Sequence, residues 1–503
     1  MKQAGTAAPP GGRHNPWVGP RGFGRDDKLP NREREARELT DRIVADRVVL
    51  LHSPSGAGKT SLVEAAVVKE LAEEGFVPTP RLRVNQPPRE GADYNPYVHS
   101  LVTYLLSVPN GQEPPTQMNL REAVQQWRAN QSASGKTDDD LLTVLIIDQL
   151  EEILVIDPTD RDAKERFFRE LGELLRTEPV WAVLSIREDY MGGLDRYVRF
   201  LPGLLRSRYR LDFLDRSDAK LAMTVPAKEQ QVDFAERAAD ALVDRLTVVQ
   251  IQRPGREPET VRAPYVEPFQ LQVVCRQMWK KIGAQRGDDF LTIGVDEVRD
   301  YADIDQALTL YVGDTVASVV EKTRADEHKI RDWVESDLIT KQNLRSQTLS
   351  RPDTANAAEA VVLLEQGYLI RADLRGQSTW YELTHDRLIR AVQASNEMWR
   401  WENLEPWQIA AHEWNVRDRH PAFLLSADAL PSSLTRGGLT DVEKAFLKAS
   451  EANKRESSVL TRISAMLGFF ALAAALKALG FFVLVAVLEA IVIIVLLIVL
   501  LVR

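Results

Sequence analysis

The chain has a single cysteine, Cys275, which excludes an intrachain disulfide and any metal centre built from several thiolates. Cys275 stands inside the apolar-periodic run FQLQVVCRQMW, so it reads as a small core residue rather than a nucleophile, and a reducing compartment suits it. An excess of positive charge is missing too: 64 Lys and Arg against 73 Asp and Glu leave a net charge of −9, with no global attraction to nucleic acid. The opening stretch MKQAGTAAPPGGRH lacks the apolar core of a secretory signal and reads as a flexible leader over 1–14. No repeat of fixed period is present, which removes solenoids and propellers. What is there is ample: 503 residues at 44% hydrophobic content exclude disorder throughout and suit roughly three domains.

The most informative run is VVLLHSPSGAGKTSLV, Val48 to Val63. An apolar strand, a small-residue loop and Lys-Thr-Ser at the mouth of a helix are the layout that a nucleoside triphosphate requires. Backbone N–H groups of Ser53, Pro54's successor Ser55, Gly56, Ala57, Gly58, Lys59, Thr60 and Ser61 can wrap the phosphates, Lys59 bridges them, and the Thr60 hydroxyl reaches Mg²⁺. The pattern G-x-x-x-x-G-K-[ST] asks for glycine where this chain has Ser53, followed by Pro54. The preceding apolar run nevertheless supplies the strand context, so ATP or ADP with Mg²⁺ is the expected ligand.

A second apolar run, LTVLII at Leu142 to Ile147, ends in Asp148. A buried strand delivering a carboxylate to its C-terminal edge is suited to hold Mg²⁺. QLEEIL then starts a helix, and either Glu151 or Glu152 could orient or deprotonate an attacking water; acidic residues also favour any first helical turn. VWAVLSIREDY places Arg187 just past the following strand, where a guanidinium can report on the γ-phosphate.

From Arg32 to Phe213 helix-like and strand-like runs alternate, the cadence of an α/β parallel sheet. PNGQEPPT (109–116) and QSASGKTDDD (131–140) read as surface loops. After Asp215 strand-like runs become scarce and helical patterns take over, including FAERAADALVDRLTVVQ. Ile330 to Gln393 has the order of a small winged helix, and Trp399, Trp401, Trp407 and Trp414 read as helix-packing anchors. The expected division is leader 1–14, NTPase domain 15–215, helical domain 216–325, winged-helix-like domain 326–397, helical segment 398–458 and transmembrane segment 463–502.

The strings NPWVGPRGF, REREARELTDRI, SPSGAGKTSL, IIDQLEEIL, SIREDY, LPGLLRSRYRLDFL, EPFQLQVVCRQMW and YELTHDRLIR occur in the order found in bacterial STAND NTPases. The chain resembles the novel STAND subgroup of these P-loop signalling ATPases, related to NACHT and to plant and animal immune receptors, over about residues 15 to 450. The resemblance implies a switch held closed by ADP, in which a trigger, an unknown protein, permits exchange for ATP and homo-oligomerisation. It also implies that Lys59 and Thr60 hold phosphate and Mg²⁺, Asp148 the metal, Glu151 the catalytic water and Arg187 the sensor position. Pro268 matches the proline that packs near adenine, and His385 the histidine that contacts ADP phosphates. Two departures stand out: Asn31-Arg32 replaces glycine-arginine before the first helix, and Gly22 replaces proline before Phe23.

Ile463 to Val502 is a forty-residue apolar stretch whose only charges are Lys477 and Glu489, long enough for one membrane anchor or a hairpin of two minimal arms. With the ATPase in the cytoplasm, the leading expectation is a membrane-tethered, slowly hydrolysing switch that acts as a defence effector. The alternatives are a membrane-anchored nucleotide-binding scaffold with little turnover and a DNA reader controlled by the ATPase; the acidic charge makes nucleic acid the weakest partner.

Overall fold

The structure is a computed structural model that describes residues 14–86, 94–107, 118–132, 142–155, 159–251, 259–286, 292–375, 378–425 and 439–454. The leader apart from residue 14, the loop 109–116 and the whole apolar segment 463–502 lie outside the described residues. Among the described residues no helix is long and apolar enough to cross a membrane. Contacts divide the chain into two units, 1–396 and 397–503.

Five parallel strands form the centre of the first unit: β1 (Val48–Ser53), β2 (Val77–Leu82), β3 (Thr143–Ile147), β4 (Val180–Arg187) and β5 (Arg208–Arg210), in the order β2-β3-β4-β1-β5. Both faces of this sheet are covered, which explains why its strands read as continuous apolar runs rather than alternating ones. Val48, Leu50, Leu145, Ile147, Ala182, Leu184 and Ile186 enter one core, whereas Val49, Leu51, Val144, Ile146 and Val183 enter the other. That is the period-2 alternation of a strand.

The second core is closed by α1 (Glu33–Asp46), whose Ala36, Leu39, Thr40 and Ile43 recur at helical spacing and are buried. It is also closed by the helix after the phosphate loop, which starts as α2 (Lys59–Leu62), widens into a π turn over Val63–Val67 and continues as α3 (Val68–Glu73). The first core is covered by α4 (Pro96–Leu105), α5 (Leu120–Ser132) and α7 (Arg161–Thr177), with the short α6 (Glu152–Val155) beside them. Of the expected loop 131–140, Gln131 and Ser132 belong to α5 and the rest lies outside the described residues. The strand expected at RLRV starts earlier, at Val77, and carries Pro78 and Pro80. Prolines are tolerated there because β2 is an edge strand and needs fewer N–H donors.

Beyond the sheet come α8 (Met191–Leu194), β6 (Leu214–Asp215), α9 (Arg216–Glu229), β7 (Asp233–Phe234), α10 (Ala238–Leu246), β8 (Val248–Ile251), β9 (Glu259–Arg262), β10 (Tyr265–Val266), α11 (Pro268–Arg286) and β11 (Thr292–Ile293). This region is helical, but three small two-stranded ladders, β6 with β10, β7 with β11 and β8 with β9, interrupt it. The helix expected to run through Thr247, Val248 and Val249 ends at Leu246. Three β-branched residues in succession favour the hairpin that β9 completes. Cys275 is fully buried in the core of this region, as its sequence context implied.

The first unit closes with α12 (Val295–Tyr301), α13 (Ile304–Thr323), α14 (Glu327–Ser336), α15 (Ala357–Gln366), the antiparallel pair β12 (Ile370–Arg375) and β13 (Ser378–Leu383), and α16 (Leu388–Asn403), which spans the unit boundary. In the second unit α17 (Pro406–Val416) brings Ala411 and Trp414 against Phe446. Trp414 is an anchor, 5% exposed, but Trp401 is 69% exposed and the anchor expectation fails for it; its position on α16 faces solvent rather than the cluster.

Candidate functional site

Parallel β1, β3 and β4 all end at one edge of the sheet, so the residues at their C-terminal ends meet there. Ser53 closes β1, Arg187 closes β4 directly opposite Ser53 in register, and Asp148 follows β3. The loop after Ser53 turns on two glycines with φ of +81° at Gly56 and +99° at Gly58, a region that side chains with a Cβ avoid. Gly58 then caps α2 and leaves open space where a Cβ would stand.

Thr60 Oγ1 donates to Asp148 Oδ2 at 2.7 Å, so the two residues expected to share a divalent cation are in contact. Asp148 is 3% exposed, receives the N–H of Gln149 at 2.9 Å and has Arg81 Nη1 3.9 Å away. Lys59 Nζ donates to Ser53 Oγ at 2.9 Å. Burial pushes the Lys59 ammonium below its ordinary range, opposed by the nearby Glu151 and Asp148 charges. The serine that departs from the glycine pattern thus has a definite job in this state, since its hydroxyl is the acceptor that holds the lysine.

The two glutamates that the sequence left as alternatives are placed differently. Glu152 is 8% exposed and ion-paired with Arg83. Glu151 Oε2 accepts the backbone N–H of Arg187 at 3.2 Å, and burial raises its carboxyl above the ordinary range. Arg187 is bound at Nη2 to Asp189, 2.7 Å, and lies over the Tyr190 ring, while its buried Nε has no partner.

His385 is brought over the phosphate loop from the turn after β13. A methyl group on Gly56 would sit 3.2 Å from His385 Nε2. The ring stacks parallel on Phe269, with centroids 5.2 Å apart, and Nε2 lies 3.3 Å from Glu267 Oε2. Pro268 opens α11 between these two residues. Ser61 Oγ accepts the N–H of Phe23 at 3.1 Å, tying the N-terminal segment to the same helix. Asn31 adopts φ of +57°, taking the left-handed conformation that glycine usually supplies, and donates to Asp218. Arg32 meanwhile pairs with Glu35 at 2.6 Å in a buried position.

The residues fit a nucleotide with Mg²⁺ on their own chemistry. The buried Arg187 Nε lacks an acceptor, Lys59 is held only by a neutral hydroxyl, and Thr60 with Asp148 offers one hydroxyl and one carboxylate oxygen. Among the described residues no three His, Cys, Asp or Glu side chains group to cage a metal, so a cation here would need phosphate and water oxygens as well, which suits Mg²⁺. Sequence reading missed Glu267, Phe269 and Arg387. Glu267 precedes Pro268 and Arg387 follows His385 by two positions, so charged residues flanking both motif positions were the available signal.

No curated protein matches this sequence. Among solved structures the chain is similar to the Walker-type ATPase PABY2304 of Pyrococcus abyssi, at 13% identity and a TM-score of 0.34 over 74% of this chain and 98% of that one. It is similar to the ORC2 protein of Aeropyrum pernix in ADPNP–ADP complexes, at 14% identity and 0.36 over 76% and 98%. The RuvB Holliday junction branch migration motor of Thermotoga maritima gives 13% and 0.30 over 76% and 98%. Likeness of this degree says nothing of activity. The profile of one family, by contrast, matches residues 16–419, a span that holds the phosphate loop, Asp148, Arg187 and His385 together. The chain belongs to the novel STAND NTPase 1 family.

Proposed function

We propose that the protein is a nucleotide-controlled switch in which the state of the phosphate loop is read by the C-terminal part of the first unit. The observation that carries this reading is how near His385 comes to Gly56, where an added Cβ would stand 3.2 Å from Nε2. A residue from the far end of the unit lies against the loop expected to wrap the phosphates, so a change of the loop at Gly56 would bear on His385.

ATP with Mg²⁺ would supply the phosphoanhydride bond whose hydrolysis resets the switch. Lys59, held here by Ser53 Oγ, would bind phosphate oxygens, the α2 N-terminus would offer its N–H groups, and Thr60 with Asp148 would hold the cation. Glu151 is the favoured base. It sits beside Arg187 and its raised pKa brings it nearer the working pH, whereas Glu152 is committed to Arg83. Arg187, whose buried Nε has no hydrogen-bond partner, would meet the γ-phosphate. Pro268, which opens α11 beside His385, would pack near adenine. The pair β12 and β13 between α15 and α16 acts as the winged-helix-like arm that carries His385.

The test is to purify the full chain in detergent, identify the nucleotide it retains, and measure its mass with ADP and with a non-hydrolysable ATP analogue. Retained ADP in a monomer that assembles with the analogue is the expected result; equal mass in both states sinks the switch. The scaffold reading with little turnover draws on the burial of Glu151, which works against the carboxylate form that a base needs. Hydrolysis left unchanged by Glu151→Gln would favour it. Attachment to a membrane through 463–502, as a tether or as part of a defence effector, belongs to the same proposal. Recovery of the protein in the soluble fraction after cell lysis would remove it.

A further inference from the structure

The N-terminal segment 15–25 is fastened at its two ends to different parts of the first unit. Its first half lies along α11. Asn15 Nδ2 donates to the carbonyl of Arg276 at 3.1 Å, and Asn15 Oδ1 accepts the N–H of Trp17 at 3.1 Å. Arg276 Nη1 in turn donates to the carbonyl of Val18 at 2.5 Å. Trp17 is 1% exposed and meets Trp279 and Phe234 edge to face, in the core that also holds Cys275. Gly19, at a φ of +81°, passes so close to α11 that an added Cβ would stand 2.7 Å from Arg276 Cδ.

The second half meets the helix that follows the phosphate loop. Phe23 N–H donates to Ser61 Oγ at 3.1 Å, Arg25 Nε donates to Glu64 Oε2 at 3.0 Å, and Arg25 Nη2 donates to the carbonyl of Thr79 at 2.6 Å. The two attachments differ in strength, because an indole buried in a core holds more firmly than a few hydrogen bonds and a partly exposed ion pair. The segment is therefore an arm of the helical region that reaches across to the phosphate loop. Ser61, the residue it reaches, stands two positions beyond Lys59. Its Oγ accepts from Phe23 and so still has its hydrogen to donate, since a hydroxyl can do both at once.

We propose that the segment 15–25 is a strap that carries occupancy of the phosphate loop to the helical region, with the Ser61 hydroxyl as its relay. The proposal rests on the reading that the loop binds nucleotide. Ser61 donates its hydrogen to a phosphate oxygen while it goes on accepting the Phe23 N–H, and the donation makes its oxygen a better acceptor. Binding thus tightens the strap at its weaker end. Because Trp17 sits in the helical core and Arg276 holds Val18, a strap fixed at Ser61 also restrains α11. Loss of the phosphate loosens the strap at Ser61 and leaves it on α11.

Cys275, the only cysteine, is next to Arg276 and fully buried in the core that holds Trp17, so its labelling by a thiol reagent reports opening of the helical region. The experiment compares that rate in the full chain with and without ADP. ADP is set at the same multiple of each protein's Kd, found by titration of a fluorescent ADP analogue, so that stabilisation by mass action is equal. ADP is expected to slow labelling by about fivefold or more in the native chain and by less than about twofold in Ser61→Ala. Arg276→Gln cuts the strap from α11 without touching the phosphate loop, and it should keep the native ADP affinity while losing the ADP effect on Cys275. A strap that is only structural lets ADP slow labelling equally in all three proteins, and that result overturns the proposal. A native chain that binds ADP with no change in labelling also overturns it.

A nucleotide-free readout separates this inference from the reading beneath it. Without ADP, hydrogen exchange over residues 20–25 should speed up in Ser61→Ala, by about fivefold at the Phe23 amide, which loses its acceptor. If that change is seen but the native chain binds no ADP, the nucleotide reading has failed, the relay falls with it, and the grip of the strap on Ser61 stands. If ADP binds and leaves exchange over 20–25 unaltered in the native chain, the relay has failed alone.

Discussion

The sheet edge and the His385 cluster approach the same loop but are built in opposite ways. At the sheet edge, Ser53, Asp148 and Arg187 are placed by parallel strands whose both faces are buried, and little can move without disturbing two cores. At the His385 cluster, the placement depends on one ring stack and a few charged hydrogen bonds between distant parts of the chain. Charged hydrogen bonds between partly buried groups contribute about 1.5–3 kcal/mol each and can be exchanged for other partners, whereas close-packed cores cannot. The contrast suits a fixed phosphate site and a releasable reader.

Variants along the two sides test that contrast, the largest effect first. Glu151→Gln should lower turnover by about 100-fold or more, the usual contribution of a general base, while ADP affinity stays within about twofold. Its effect on stability has the opposite sign. Burial raises the folded-state pKa of Glu151 above its unfolded value, so folding takes up a proton and stability falls as pH rises through that window. The neutral glutamine therefore melts at a higher temperature than native protein at neutral pH. Equal melting points would show that Glu151 is not buried as a charge.

Glu152→Gln should do the reverse. It turns the carboxylate of a largely buried ion pair with Arg83 into a neutral amide, costing up to about 3 kcal/mol in chemical unfolding, the scale for breaking a buried pair. A Glu152→Gln protein with native stability and no turnover would exchange the roles assigned to the two glutamates.

Lys59→Ala removes the phosphate bridge and should weaken ADP by about 2 kcal/mol, roughly 30-fold, in the same fluorescence titration. Smallest of the series, Gly56→Ala meets both a φ of +81° and His385 Nε2 at 3.2 Å. It should cost about 1–2 kcal/mol of stability, and part of that cost should return when His385 is also made Ala. Full persistence of the cost in the double variant would mean that backbone strain alone, and no contact with His385, makes Gly56 necessary.

Legibility followed the same divide. The phosphate loop, Asp148 and Arg187 could be read because each lies at the end of an apolar run, and a run buried on both faces has a composition that shows in the sequence. The edge strand β2 was misplaced because its prolines mask it. The helix into β8 was overrun because short strands and helices share apolar β-branched residues. The exposed Trp401 shows the limit of reading aromatic residues as anchors. His385 was found only through the family pattern, and Glu267 not at all, because a charged residue next to a proline has no local signature of what it will touch.

By itself the sequence determined a parallel α/β sheet carrying Gly56, Gly58, Lys59, Thr60 and Asp148 at one edge, since strand burial, glycine conformations and helix starts are local physics. The different partners of Glu151 and Glu152, the grip of Ser53 on Lys59, and the packing of Glu267 and Phe269 against His385 were decided only by tertiary structure. Each depends on which partner lies within about 3 Å, and partners separated far along the chain are set by packing rather than by any pattern that their neighbours carry.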